Sequence, residues 1–263
     1  MTAFAVLAVL ASGLFQAAAS GNGGSPYYTA DSIANSAAGV AGLYAPNTFV
    51  TIYGQNLAYT TRSLLPSDIS NGTLPTVLGG TGVRVLINNI PADIYYVSPT
   101  QVNLLVPTSL IAGPVTLQLV VDALAGPAIP ITLGAAAPSL FQSDAATVLG
   151  VHLDNSLITA ASPASRGEVI VLYASGVGPT DPAAIPNQIP QQAASVTPVS
   201  SFTLLLNGKA VDPRQILYVG VTPTFAGLFQ INLRIPADAP PNPEIRIGYA
   251  GTMSPAGRLL PLQ

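Results

Sequence analysis

Cysteine is absent from the 263-residue chain. That excludes a disulfide framework, thiolate metal sites, iron–sulfur clusters and cysteine nucleophiles together. It does not argue against export, because disulfides are optional for a domain with an adequate core. Charge is scarce as well, at 7% of residues, against roughly a quarter in an average soluble domain. Disordered chains combine low hydrophobicity with high charge, whereas this one is 49% hydrophobic. The eight basic residues are scattered singly, so no basic patch marks a nucleic-acid partner. A net charge of −3 is too small for steering, and low net charge favours association.

Long apolar runs are missing except at the start. Ala3 to Phe15 is apolar, Ala17-Ala18-Ala19-Ser20 follows, and no charged side chain precedes Asp31. This pattern reads as a signal peptide over residues 1–19 with cleavage after Ala19, although no Lys or Arg precedes the run. No other segment approaches membrane-spanning length. The mature chain is therefore expected to be extracytoplasmic, secreted or held at the cell surface, without a membrane span.

Histidine is nearly absent too: His152 stands alone. A hydrolase built on it would need a serine nearby, such as Ser156 or Ser175, with Asp154 as orienting acid. The segment Tyr173-Ala174-Ser175-Gly176-Val177 lacks the first glycine of a nucleophile elbow. The plainer alternative is a strand-end histidine beside an Asp154-Asn155 turn. Glu168 and Glu244 fall at expected strand starts and suggest no glycosidase pair. Asp154, Asn155 and Asp181 form no calcium-loop pattern. No catalytic residue, metal or cofactor is expected, and the chain reads as a non-enzyme.

What the chain has in quantity is turn chemistry. Its 24 Gly and 25 Pro separate short runs rich in Val, Ile, Leu, Thr and Tyr, the punctuation of a sandwich of short strands. In the first half strands are expected at Phe49–Tyr53, Val83–Ile87, Ala92–Val97, Val102–Val106, Val115–Val121 and Ile129–Leu133. In the second they are expected at Ala146–Leu153, Glu168–Ala174, Phe202–Leu206, Ile216–Val219, Leu228–Ile235 and Ile245–Tyr249. The Pro-rich stretches Leu64–Thr76 and Pro179–Pro198 are expected as long surface loops, the second mobile.

The halves repeat one another. Leu86-Ile87-Asn88-Asn89 matches Leu205-Leu206-Asn207-Gly208, and Ile94-Tyr95-Tyr96-Val97 matches Ile216-Leu217-Tyr218-Val219. Gln101-Val102-Asn103-Leu104 matches Gln230-Ile231-Asn232-Leu233, and Val50-Thr51-Ile52-Tyr53 parallels Ile170-Val171-Leu172-Tyr173. The offset grows from 119 at Asn88 to 122 at Tyr96 and 129 at Gln101, so the second copy carries insertions in its turns. The fold class expected is all-β: two tandem immunoglobulin-like β-sandwich domains, at 30–135 and 136–263, behind the signal peptide.

Three sets of residues are candidates for a role. Tyr95 and Tyr96 are adjacent, so alternation sends one inward and one outward; an exposed tyrosine beside Asp93 could stack on a sugar, with cross-strand packing as the commoner alternative. Gln101/Asn103 and Gln230/Asn232 recur in both copies, which favours a shared structural hydrogen-bonding role. Asn88-Asn89 and Asn207-Gly208 suit hairpins with primed turns, which need positive φ.

Ala45-Pro46-Asn47-Thr48-Phe49-Val50-Thr51-Ile52-Tyr53-Gly54-Gln55-Asn56-Leu57 resembles the opening of IPT/TIG-type immunoglobulin-like domains. The second half is similar to the Solibacter-type C-terminal domain of large surface proteins of Acidobacteria. There the similarity rests on Pro138-Ser139-Leu140-Phe141, on the stretch from Gly167 to Thr180, and on Phe225-Ala226-Gly227-Leu228-Phe229-Gln230-Ile231-Asn232. The resemblance implies an extracytoplasmic β-sandwich module and brings no catalytic residues. The leading expectation is a surface or matrix module acting by protein–protein or adhesive contact with other surface proteins or with itself. A carbohydrate-binding module with a polysaccharide partner is the alternative, and a hydrolase using His152 a remote one.

Overall fold

The computed structural model describes residues 23–263, so the expected signal peptide lies outside the described residues. The chain divides into two compact units. Unit 1 takes residues 23–135 together with Ile185–Ile189; unit 2 takes Ala136–Ala184 and Pro190–Gln263. Both are all-β.

Unit 1 contains β1 (Ile33–Asn35), β2 (Phe49–Tyr53), β3 (Arg62–Ser63), β4 (Val83–Ile87), β5 (Ile90–Pro91), β6 (Asp93–Ser98), β7 (Gln101–Leu105), β8 (Gly113–Val121), β9 (Leu124–Ala125) and β10 (Ile129–Leu133). They form two sheets, ordered β1-β2-β7-β6-β3 and β10-β8-β4-β5, with β9 beside β8. Alternation sets the core: Val50, Ile52, Val102 and Leu104 from one sheet and Val83, Val85, Ile87, Leu117 and Leu119 from the other are fully buried. Each such side chain contributes about 1.5–3 kcal/mol by leaving water.

Unit 2 contains β11 (Ser139–Leu140), β12 (Gly150–Val151), β13 (Val169–Ser175), β14 (Thr180–Asp181), β15 (Ala194–Val196), β16 (Phe202–Leu206), β17 (Lys209–Ala210), β18 (Ile216–Val221), β19 (Phe229–Arg234), β20 (Ile245–Tyr249) and β21 (Thr252–Met253). Its larger sheet runs β11-β13-β19-β18-β15-β14, with β12 beside β13, and its smaller one β17-β16-β20-β21. Ile170, Leu172, Ile231 and Leu233 meet Leu204, Leu206, Ile245 and Ile247 in a single core.

The repeated turns have the same construction in both units. Asn88 and Asn89 sit at φ 48° and 64°, Asn207 and Gly208 at 48° and 76°, the left-handed pair of a two-residue hairpin. Asn88 then binds the neighbouring strand twice: its N–H donates to Thr116 O (2.9 Å) and its Oδ1 accepts from Thr116 N (2.8 Å). Asn207 does the same with Glu244, at 2.8 and 2.7 Å. The asparagine thus ties the hairpin to the next strand.

Two expectations are corrected. The strand expected over Ala146–Leu153 shrinks to Gly150–Val151, because Ser143 to Thr147 closes a turn around Asp144, whose carboxylate accepts from Ala146 N and Thr147 N. Pro179–Pro198 is not one loop. Thr180–Asp181 and Ala194–Val196 pair with each other, and the latter also pairs with β18.

Between those strands, Ile185–Ile189 packs into unit 1. Leu74 N donates to Asn187 O (2.8 Å), Ile189 N to Gly72 O (2.9 Å), and Gln188 Nε2 to Thr73 Oγ1 (2.7 Å).

Candidate functional site

The unit 1 residues nominated from sequence converge on one sheet face, which is largely closed. Phe49, Thr51 and Tyr53 of β2 pair with Leu105, Asn103 and Gln101 of β7, so these six side chains share the face turned away from the sandwich core. On the other side of β7, Ile94 pairs with Leu104 and Tyr96 with Asn103. Tyr95 is the extra residue of a β-bulge, which breaks the alternation. Tyr95 therefore joins the same face, edge-on to Phe49 with ring centroids 5.1 Å apart.

The expected opposition of Tyr95 and Tyr96 is accordingly corrected. Tyr95 is 4% exposed and Asp93 likewise, while Tyr96 is half-buried. Neither Tyr95 nor Asp93 can meet a sugar from solvent. Asp93 accepts from Asn187 Nδ2 at 2.6 Å. Burial pushes its carboxyl up to about 6, with the Asn187 hydrogen bond pulling the other way.

The repeated Gln/Asn pairs are bonded to each other. Gln101 Nε2 donates to Asn103 Oδ1 at 2.9 Å, and Gln230 Nε2 to Asn232 Oδ1 at 2.7 Å. Residues two apart on a strand point the same way, so one amide reaches the next. The bulge is duplicated too, between Ile216 and Tyr218, but there the extra residue is Leu217, which is exposed. Tyr218 lies over Gly220, where a Cβ would meet its hydroxyl at 2.5 Å. The glycine makes room for the ring, whose hydroxyl donates to Val221 O.

His152 is held by groups that sequence reasoning did not select. Its Nδ1 lies 2.5 Å from Glu168 Oε1, and its Nε2 lies 3.2 Å from Ser162 O and 3.4 Å from Ser162 Oγ. Glu168 is anchored in turn by Ser165 N. Ser156 instead binds Asp154, and Ser175 is buried in β13. With acceptors at both ring nitrogens, the histidine suits a doubly protonated imidazolium, which has no lone pair to act as general base.

The Glu168 hydrogen bond, chiefly, raises the His152 pKa from its ordinary 6.5. A raised value means that its stabilisation is full below 6.5 and fades as pH rises through the folded-state value. Since His152 is the sole histidine, its ring-proton NMR titration can be read without assignment. We expect a midpoint above 6.5 in the wild type and a return toward it in Glu168→Gln; identical midpoints would show that the contact carries no charge interaction.

The open aromatic surface of unit 1 lies elsewhere. Tyr27, Tyr53 and Tyr59 are 61%, 39% and 49% exposed. All three belong to chain segments that meet at the end of the sheet where β6 turns into β7. Tyr53 is opposite Gln101, and the following Gly54 N donates to Thr100 O. Tyr27 exchanges both backbone hydrogen bonds with Gln55, two residues beyond Tyr53, which puts the two rings about 7–8 Å apart at their bases. Gly54 permits this crossing: a Cβ there would stand 2.3 Å from Tyr27 O. Leu57 N then donates to Pro99 O, and the chain passes over the β6–β7 turn with Tyr59 outward before Arg62 pairs with Val97. Gln55, the backbone partner of Tyr27, is exposed and adds an amide donor and acceptor. Alternation along β2 does place Tyr53 outward; nothing in the sequence brings Tyr27 to it.

Among the described residues no cluster of His, Asp and Glu could hold a metal ion, and no helix is long and apolar enough to cross a membrane. Fold and surface together define a protein of tandem immunoglobulin-like β-sandwiches. No protein-family profile and no curated protein matches the chain. Among solved structures it is similar to the surface glycan-binding protein SGBP-B of the Bacteroides ovatus mixed-linkage glucan utilization locus, in complex with a heptasaccharide (12% identity, TM-score 0.34, 92% of this chain and 44% of that one). It is also similar to PbSGBP-B of Prevotella bryantii (14%, 0.27, 89% and 42%) and to the I9-I11 tandem of titin (10%, 0.23, 91% and 64%). The chain spans less than half of either glycan-binding protein. Likeness of this degree says nothing about ligands.

Proposed function

We propose that this chain is an extracytoplasmic, non-enzymatic binding module that holds a neutral carbohydrate on the tyrosine-rich end of unit 1. The observation that carries the reading is that Tyr27, Tyr53 and Tyr59, each more than a third exposed, stand on chain segments that meet at one end of the sheet, with the exposed Gln55 paired to Tyr27. Single exposed aromatics need no explanation, whereas a cluster rimmed by polar groups marks a contact site. A sugar ring offers an apolar C–H face to an aromatic ring and hydroxyls to an amide, and tyrosine supplies rigid amphipathic area at low entropic cost. The scarcity of charge suits a neutral ligand.

Export is supported by the apolar N-terminal run. The doubly bonded His152 and the absence of a nucleophile elbow support a non-enzymatic reading. Tyrosine is equally enriched at protein interfaces, so an adhesive protein contact through the same end is the second reading.

Retention on insoluble β-glucan, xylan and chitin separates the two. Tyr27→Ala, Tyr53→Ala and Tyr59→Ala are each expected to weaken retention about 3–10-fold, and the triple variant to abolish it with thermal stability nearly unchanged for such surface changes. Wild-type protein that elutes unretarded from every polysaccharide, yet is captured by a partner protein through these tyrosines, would end the carbohydrate reading.

A further inference from the structure

Unit 2 has a second surface feature, independent of the tyrosines. A groove of about 750 Å³ runs beside the edge strand β17, between the segment from Lys209 to Gln215 and the segment from Pro236 to Pro240. Its volume lies in the ~300–1,000 Å³ range of ligand sites. Leu206, Val211 and Ala239 give it apolar walls, and Pro213, Pro236 and Pro240 stiffen the rim. Gln215 is among the lining residues, and its Oε1 is turned inward as a buried acceptor without a hydrogen-bond partner. An orphaned buried carbonyl costs free energy and calls for a donor.

The edge beside the groove supplies further unpaired groups. Around the Asn207-Gly208 hairpin, Leu206 and Lys209 form one pair, Leu205 and Ala210 the next, and Val211 N returns to Leu204 O. In an antiparallel ladder hydrogen-bonded and non-hydrogen-bonded pairs alternate. Ala210 is in a non-hydrogen-bonded pair, so its N–H and C=O point outward, away from β16.

The duplication provides an internal control. The residue matching Ala210 in unit 1 is Pro91, which pairs with Leu86 just as Ala210 pairs with Leu205. Proline has no N–H to offer and is a common device for blocking an edge. Unit 1 has blocked this edge, and unit 2 has left it open beside a groove with an unmet acceptor.

We propose that the β17 edge of unit 2 binds an extended polypeptide segment by strand addition, the Gln215 side chain turning to bring its Oε1 onto one peptide N–H. The outward N–H and C=O of Ala210 have the spacing that another extended backbone matches. Charge narrows the partner. Lys209 is neutralised by Asp238 at 2.9 Å across the groove, and Asp212 leaves one net negative charge on the lining. The segment has small apolar side chains and a single basic residue. This site stands apart from the carbohydrate reading, and either can fail alone.

The test uses the fluorescein-labelled hexapeptide Thr-Val-Lys-Val-Thr-Val in anisotropy titrations with the full chain. Saturable binding is expected, weakened at least 10-fold in Ala210→Pro, which copies the fold's own Pro91, and several-fold in Gln215→Leu. The triple tyrosine variant should bind as the wild type does. No saturable binding, or binding indifferent to Ala210→Pro in a folded protein, overturns the proposal. Light scattering that finds a dimer abolished by Ala210→Pro would overturn it in favour of a second copy on this edge. Displacement of the peptide by cellohexaose would overturn it in favour of a sugar.

Discussion

Asp93→Asn is expected to stabilise unit 1 by about 2–3 kcal/mol at pH 7.5, following the ~1.4 kcal/mol carried by each pKa unit. Asp93 is 4% exposed, and its carboxyl is raised from 3.8 to about 6 by burial. The sign follows from linkage. A carboxyl that binds its proton more tightly in the folded chain adds stability below 3.8, and that contribution is lost as pH rises through about 6. Above that window the folded state holds a buried charge whose main relief is the Asn187 amide at 2.6 Å. Asparagine at position 93 keeps an oxygen for that amide and removes the charge. Urea unfolding followed by tyrosine fluorescence should show variant and wild type converging near pH 4 and diverging toward pH 8. A variant less stable at pH 7.5 would mean that the ionic character of the Asn187 bond outweighs the cost of burial.

Tyr28 should be the most sensitive single aromatic of unit 1. Its side chain is 2% exposed, and its hydroxyl joins β8 to the segment before β10, donating to Pro127 O at 2.6 Å and accepting from Leu119 N at 2.7 Å. Gly126 is cut to fit the ring, since a Cβ there would lie 2.7 Å from Tyr28 Cε1. Tyr28→Phe keeps the packing and strands the Leu119 N–H in the interior, at a cost of about 1–3 kcal/mol. Tyr28→Ala adds an unfilled cavity, for about 3–5 kcal/mol in total. The ordering wild type, Phe, Ala should appear in unfolding midpoints, with faster Leu119 amide exchange in the Phe variant. Equal stability of Tyr and Phe would show that the hydroxyl bridge contributes nothing net.

The parts of this fold that show in the sequence are those governed by local alternation. Phe49–Tyr53, Val83–Ile87, Phe202–Leu206 and Ile245–Tyr249 begin and end where their apolar period does. Two-residue strands such as β5, β9, β17 and β21 leave no period to read; they exist because a tight turn places them against a longer neighbour. The β-bulge is hidden for a related reason. Tyr95-Tyr96 is unremarkable on its own strand, and the register of β7 decides that both rings share a face.

The candidate site was less visible still. Tyr53 follows from alternation, but Tyr27 reaches it only because Gly54 lets another chain segment cross. His152 and Glu168 lie 16 residues apart, and their meeting depends on turns at Thr159–Ser162 and Ser165–Glu168. The Gln/Asn pairs were the exception, because repetition at matching positions marks a shared role before any contact is known.

The segment Ile185–Ile189 has a consequence for how the protein is made. Unit 1 is discontinuous in the chain: its last hydrogen bonds come from residues that follow its β10 by about fifty positions. A chain emerging from the ribosome amino end first cannot complete unit 1 when residue 135 appears. Asp93 waits for Asn187, and Thr73 for Gln188. When Asn187 appears, β15, β18 and β19 of unit 2's larger sheet have still to emerge. Unit 1 is therefore finished only after the first strands of unit 2 have been made, and a fragment ending at residue 135 would carry a sandwich whose buried acid has lost its donor.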